Sequence, residues 1–140
     1  MRILRLLLFV VTLFSSLGVS AQSLGPREKL ETEVEEINKV LPISVQQGVV
    51  FKKKYIYENS LYEVHEIDEN YVSLSLLSKK KNTMKKTLLE KYGTDPNLIS
   101  TTQLVVECNM DIVIHYVSKQ SGKSFNITFS KKELSKCLDY

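Results

Sequence analysis

Apolar positions along the chain first recur at helical spacing. Leu30, Val34, Ile37 and Leu41 are separated by four, three and four residues, which sets them on one face of a helix running from about Pro26 to Val40. Pro26 suits a first helical turn and Pro42 closes the run. Glu28, Glu31, Glu33, Glu35 and Glu36 cover the remaining surface, several of them near the N-terminus, where the helix dipole favours negative charge. They read as a solvated face rather than an acidic ligand patch.

From Val49 the period shortens to two. VVFKKKYIY and LYEVHEI flank Glu58-Asn59-Ser60 and read as a hairpin. With Asn59 and Ser60 as its loop, Tyr57 faces Tyr62, Tyr55 faces Val64 and Lys53 faces Glu66, so one side is mainly apolar with a charge pair at its edge. Residues 68–81 fit two patterns. YVSLSLL alternates as a strand does, while Leu74 and Leu77 can open a helix; a short strand extension leading into a helix is expected.

The middle of the chain returns to helical spacing. Met84, Leu88 and Tyr92 stand at four-residue steps with Gly93 as the stop. Asp95-Pro96 then supplies an N-cap and a first-turn proline for a helix over NLISTTQLVVECN, despite its β-branched residues. Beyond it, DIVIHYVS and SFNITF alternate cleanly around the Gly-containing connection KQSGK, a second hairpin. Ser130 and Glu133 form a capping box ahead of Leu134, Cys137 and Leu138 on one face of a closing helix. The pattern predicts an α+β domain in which an antiparallel sheet of about four strands, two hairpins, carries helices mainly on one face.

The N-terminal segment changes how the composition is read. Arg2 and Arg5, an apolar run from Leu6 to Leu13 and the small-residue end Val19-Ser20-Ala21 have the layout of a secretory signal cleaved before Gln22. The apolar run is too short to cross a bilayer comfortably, so no stable membrane anchor is expected after cleavage. Removing 21 of 140 residues leaves one domain at 22–140. The signal holds two of the 19 basic residues and none of the 16 acidic ones, so the net charge falls from +3 to +1. That removes most of the basicity on which a nucleic-acid partner would rest.

Export also sets the redox context. Cys108 and Cys137 are expected to form a disulfide, which would close a 29-residue loop and stabilise the fold by about 3.5 kcal/mol. Two separate buried thiols are the competing arrangement.

Candidate chemistry is sparse. Gly122-Lys123-Ser124 resembles the end of a phosphate loop, but Val117 stands where that motif needs its first glycine, and a strand follows instead of a helix. His65, His115 and the two cysteines are too few and too scattered for a closed zinc site, so neither a metal nor a cofactor is expected. A Cys108, His115 nucleophile pair is formally possible but competes with the disulfide, and both histidines read as strand-surface residues. Glu63 and Glu66 point to opposite faces of one strand, which leaves no carboxylate pair for acid and base chemistry. The lysine runs at 52–54, 79–81 and 85–86 protect strand edges or suit an anionic glycan or acidic protein better than nucleic acid. Asn126-Ile127-Thr128 fits the N-glycosylation pattern within a strand.

IVIHYVSKQSGKSFNITFSKKEL, EKYGTDPNLIS and the cleavage region VSAQ resemble small exported, uncharacterised proteins of Bacteroidetes-type bacteria. The resemblance covers the last two thirds of the chain. It implies a periplasmic or secreted α+β module and carries over no catalytic residues. A non-enzymatic exported binding module is therefore expected, recognising a protein or surface ligand through Tyr55, Tyr57 and Tyr62, a residue type enriched at interfaces. Inhibition of an enzyme is one version of that role. The alternative is a small-molecule carrier or enzyme with a pocket between sheet and helices, built from Tyr92, Tyr116, Phe125 and Phe129.

Overall fold

The computed structural model describes residues 24–139, so the signal segment at 1–21 lies outside the described residues. Helix α1 (Pro26–Asn38) leads into strands β1 (Ile43–Gln46), β2 (Val49–Tyr57) and β3 (Ser60–Ile67). Three helices follow: α2 (Leu74–Lys79), α3 (Lys81–Thr94) and α4 (Pro96–Glu107). Strands β4 (Asp111–Ser118) and β5 (Ser124–Phe129) and helix α5 (Lys131–Leu138) complete the domain.

The strands form one sheet in the order β1-β2-β3-β4-β5. It has five strands rather than about four, because Ile43–Gln46 adds a short edge strand reached through Gly48 at φ +90°. It is also mixed rather than antiparallel: β3 and β4 run parallel, while the other three pairs are antiparallel. A connection holding three helices carries the chain back to the starting end of the sheet. Such a crossover produces a parallel neighbour where a tight turn would reverse the strand.

Helix boundaries follow local chemistry. Asp95 caps α4 by accepting from the Asn97 N–H at 2.9 Å, and Ser130 and Glu133 form the capping box of α5. Residues 68–81 hold no strand extension. Asp68 opens a turn by accepting from the amides of Tyr71 and Val72, and Ser73 then caps α2 through the Leu76 N–H. The local turn and cap satisfy backbone groups that a lone extended segment would leave without a ladder partner.

One core joins the helices to a single face of the sheet. Leu30 and Val34 of α1, Met84, Leu88 and Tyr92 of α3, Leu98 and Val105 of α4 and Leu134 of α5 pack on Leu61, Ile67, Ile112, Ile114, Ile127 and Phe129. Ile37 and Phe51 make a satellite cluster under β1.

The first hairpin turns at Glu58–Asn59, one residue earlier than expected. Glu58 takes φ +52°, Tyr57 pairs with Ser60 and Tyr55 pairs with Tyr62 rather than Val64. A bulge between Phe51 and Lys53 then resets the register, so His65 lies opposite Phe51. The faces are consequently assigned the other way round. Leu61, Glu63, His65 and Ile67 point into the core, and the side carrying Tyr55, Tyr62 and Val64 is the one without helices.

The expected Cys108–Cys137 disulfide is not formed; both residues are free thiols. Cys108 ends α4 in a setting shared with Arg27, Glu31 and Glu107, whereas the Cys137 thiol donates to the Leu134 carbonyl within α5. Partial burial raises the pKa of each.

Candidate functional site

The uncovered sheet face presents the expected tyrosines. Tyr55 and Tyr62 oppose each other across β2 and β3 and stack with ring centroids 5.0 Å apart and planes 6° from parallel. The Lys53 ammonium sits 5.2 Å from the Tyr55 ring centroid, within cation–π range. Tyr57 continues the row at the hairpin tip and is 60% exposed. The three residues expected at the partner surface therefore lie on adjoining strands, two of them in direct ring contact.

Alternation extends this face across β4 and β5. Val113 stands beside Tyr62, His115 beside Val64, and Asn126 beside His115. His115 Nδ1 meets Asn126 Oδ1 at 2.5 Å; the amide oxygen accepts, so the ring nitrogen carries the hydrogen. Val64 and Val113 are buried, at 8% and 7% exposure, yet belong to neither core cluster. The face thus has an apolar centre of Val64 and Val113, an aromatic side on β2 and β3, and exposed Lys52 and Lys53 at its margin.

Directly behind the tyrosines lies a buried polar group that the sequence reading placed differently. Glu63 and His65 are only 4% and 1% exposed, although His65 was expected at the surface. The bulged register stacks the His65 ring on Phe51 at 4.7 Å, with Tyr116 on its other flank at 5.4 Å. Lys54 Nζ lies 3.5 Å from Glu63 Oε1 and His65 Nε2 lies 3.7 Å from Glu63 Oε2. The second separation is an electrostatic contact, too long for a hydrogen bond. Accordingly Glu63 Oε2, both His65 ring nitrogens and the Tyr92 hydroxyl are buried without a hydrogen-bond partner.

Burial alone would push the Glu63 carboxyl upward, but Lys54 and then His65 outweigh it and hold the group below its ordinary value. Burial, reinforced by the negative Glu63, pushes the Tyr92 and Tyr116 hydroxyls upward, which keeps both neutral. A carboxylate beside an imidazole is a familiar acid–base pairing. Here it is sealed in the core, and catalysis needs such groups within reach of a substrate. Lys54 and Glu63 are instead cross-strand partners whose ion pair links β2 to β3 next to the Tyr55–Tyr62 pair. Asn38 assists from the helix side by accepting from the Lys54 N–H at 3.0 Å and donating to its carbonyl at 2.6 Å.

The aromatic set expected to line a pocket packs on itself. Tyr92 meets Phe129 edge-on at 5.1 Å, and Tyr116 stacks on Phe125 at 5.0 Å. Tyr92, Tyr116 and Phe129 are buried as core, so this interior is filled rather than lined. Among the described residues, no group of three or more metal-ligating side chains converges.

No protein-family model matches the chain, and no curated protein matches it in sequence. Solved structures do match in fold. A "putative secreted protein" of Pseudomonas aeruginosa superposes with a TM-score of 0.64 at 8% identity, covering 84% of this chain and 99% of its own. The pilotin EpsS of the Vibrio vulnificus type 2 secretion system superposes with a TM-score of 0.54 at 9% identity, covering 78% of this chain and 91% of its own. This chain shares their α+β fold. The narrower likeness to Bacteroidetes-type proteins gains nothing from these comparisons. No helix among the described residues is long and apolar enough to cross a membrane.

Proposed function

We propose that the chain is an exported, non-enzymatic protein that binds a folded protein partner through the uncovered face of its sheet. The stacked Tyr55–Tyr62 pair, flanked by Lys53 on a face no helix covers, is the observation that carries this reading. Large, rigid aromatic side chains bury much area at little entropic cost, and they dominate measured interface energies. The margin of Lys52 and Lys53 suits a partner patch that combines apolar and acidic residues. Two fold neighbours, one described as secreted and one a secretion-system pilotin, support an exported role in binding protein. The signal-like N-terminus supports export independently.

Pull-down from envelope and culture-supernatant extracts tests the reading. Wild-type bait is expected to enrich one protein, and substituting Tyr55, Tyr57 and Tyr62 together by alanine is expected to abolish that enrichment. Each single substitution should weaken binding about tenfold. Enrichment that survives the triple substitution would place the binding surface elsewhere.

A further inference from the structure

A second surface lies away from the tyrosines, where the SGKS segment meets the start of α2. Glu69, Leu74, Ser75, Ser78, Ser121, Lys123, Ser124 and Phe125 line a cleft of about 410 Å³. That volume falls within the range of small-ligand sites.

The walls are held in place by specific bonds. Gln120 donates to Asp68 Oδ1 at 2.6 Å and accepts from the Glu69 N–H at 2.9 Å, which pins the β4–β5 connection to the turn before α2. Ser118 donates to Glu69 Oε2 at 2.6 Å. Gly122 at φ +71° reverses the chain, so that Ser121, Lys123 and Ser124 share the cleft wall. Opposite them, Ser75 and Ser78 stand one helical turn apart on one side of α2. Leu74 and Phe125 supply apolar surface, and the Phe125 ring is braced by its stack on Tyr116.

The lining has unused bonding capacity. Ser75, Ser78, Lys123 and Ser124 are exposed in the cleft, where their hydroxyls and ammonium can meet a ligand. Glu69 keeps one carboxylate oxygen that accepts nothing. A bare anion would suit Lys123 and the serines but would be repelled by Glu69. A ligand matched to the whole lining needs an anionic group for Lys123, hydroxyl donors for Glu69, oxygens for the serines and a C–H face for Phe125.

We infer that this cleft binds an acidic saccharide, with the sugar carboxylate on Lys123, ring hydroxyls on Glu69 and the serines, and the ring against Phe125. The site is independent of the tyrosine face. It gives the SGKS segment a role in recognising an anion, by a different geometry from a phosphate loop.

Amide-shift mapping of the purified protein titrated with D-glucuronate tests this, with D-glucose, inorganic phosphate and L-glutamate titrated in parallel. Glucuronate is expected to shift the amides of Ser75, Ser78, Ser121, Lys123 and Phe125. Glucose should bind about tenfold more weakly, because it leaves the ammonium without a counter-ion. Lys123→Ala should reduce glucuronate to the glucose level, while Lys131→Ala, outside the cleft, should change nothing. The inference is overturned by the absence of cleft shifts up to about 20 mM glucuronate, or by binding that survives Lys123→Ala. Phosphate binding as tightly as glucuronate would show a bare-anion site, and a preference for glutamate an amino-acid site; either result overturns the saccharide assignment.

Discussion

Glu63→Ala is expected to lower the stability of the fold by about 3–5 kcal/mol, which corresponds to a fall in Tm of roughly 10–25 °C for a domain of this size. The size of the effect comes from what is left behind. Glu63 is 4% exposed, and its carboxylate compensates Lys54, whose side chain is itself only 12% exposed. Removing the acid leaves a largely desolvated ammonium and an imidazole with two unpartnered nitrogens in the same layer. Replacing Lys54 as well, as Lys54→Met in the Glu63→Ala background, removes the stranded charge and should recover part of the loss.

The same pair sets an acid limit. Because the folded-state carboxyl is held below its ordinary value, Glu63 contributes stability at neutral pH. That contribution starts to fall as pH drops through the ordinary value of 4.5 and is gone below the depressed folded-state value. Urea titrations at neutral pH and across this acid window should show a downward slope in the wild type that Glu63→Gln flattens. Equal slopes in the two proteins would show that the pair carries no pH-linked stability.

Gly93→Val is expected to cost about 3 kcal/mol, with Gly93→Ala smaller but of the same sign. Gly93 lies in the last turn of α3, where the helix meets α5. A Cβ built there would stand 2.9 Å from the Cys137 carbonyl carbon and 3.0 Å from the Cys137 Cβ, and closer still to the carbonyl oxygen. Two of those three atoms are backbone, so relief requires α5 to move as a unit. Alanine would normally add up to about 1 kcal/mol to a helix interior, so a net loss isolates the steric cost. Thermal melts of the two variants decide the matter, and an unchanged or raised Tm for Gly93→Ala would show that α5 does not pack this closely.

Gly93 also shows what the sequence expressed and what it concealed. As a helix stop it was placed nearly correctly, since α3 ends one residue later. Its tighter constraint comes from a segment more than forty residues away, which no local pattern reveals. Helices were legible where the signal was local: the Leu30, Val34, Ile37 stripe, the Asp95-Pro96 start and the Ser130–Glu133 box all occur as the spacing predicts. Strand pairing was less so. Alternation says which residues share a face but not which strands adjoin, so the parallel β3–β4 pair appears only in the folded chain. ISVQ is too short and too weakly alternating to announce an edge strand.

The candidate site was legible in its residues but not in its orientation. Tyr55, Tyr57 and Tyr62 drew notice by type, and they do lie together. The sequence reading put them on the mainly apolar side of a half-buried hairpin and at a partner surface, but it also set His65 at the surface, whereas the folded chain buries it. Leu61 and Ile67, two and four residues from Glu63, carried the opposite signal. Their parity sends Glu63 and His65 inward, where Lys54 and the flanking rings make burial tolerable. Cys108 and Cys137 are likewise free thiols, which the residue count and the export signal did not indicate.

The central claim is that the helix-free face of the sheet is the surface a protein partner covers. Site-specific photo-crosslinking in cells that produce the protein tests it most directly, with the photoreactive residue placed at Tyr57 on the sheet face or at Lys86 on the exposed side of α3. The account predicts a discrete adduct with one protein from position 57 and none from position 86. An adduct from position 86 with none from position 57 would contradict it.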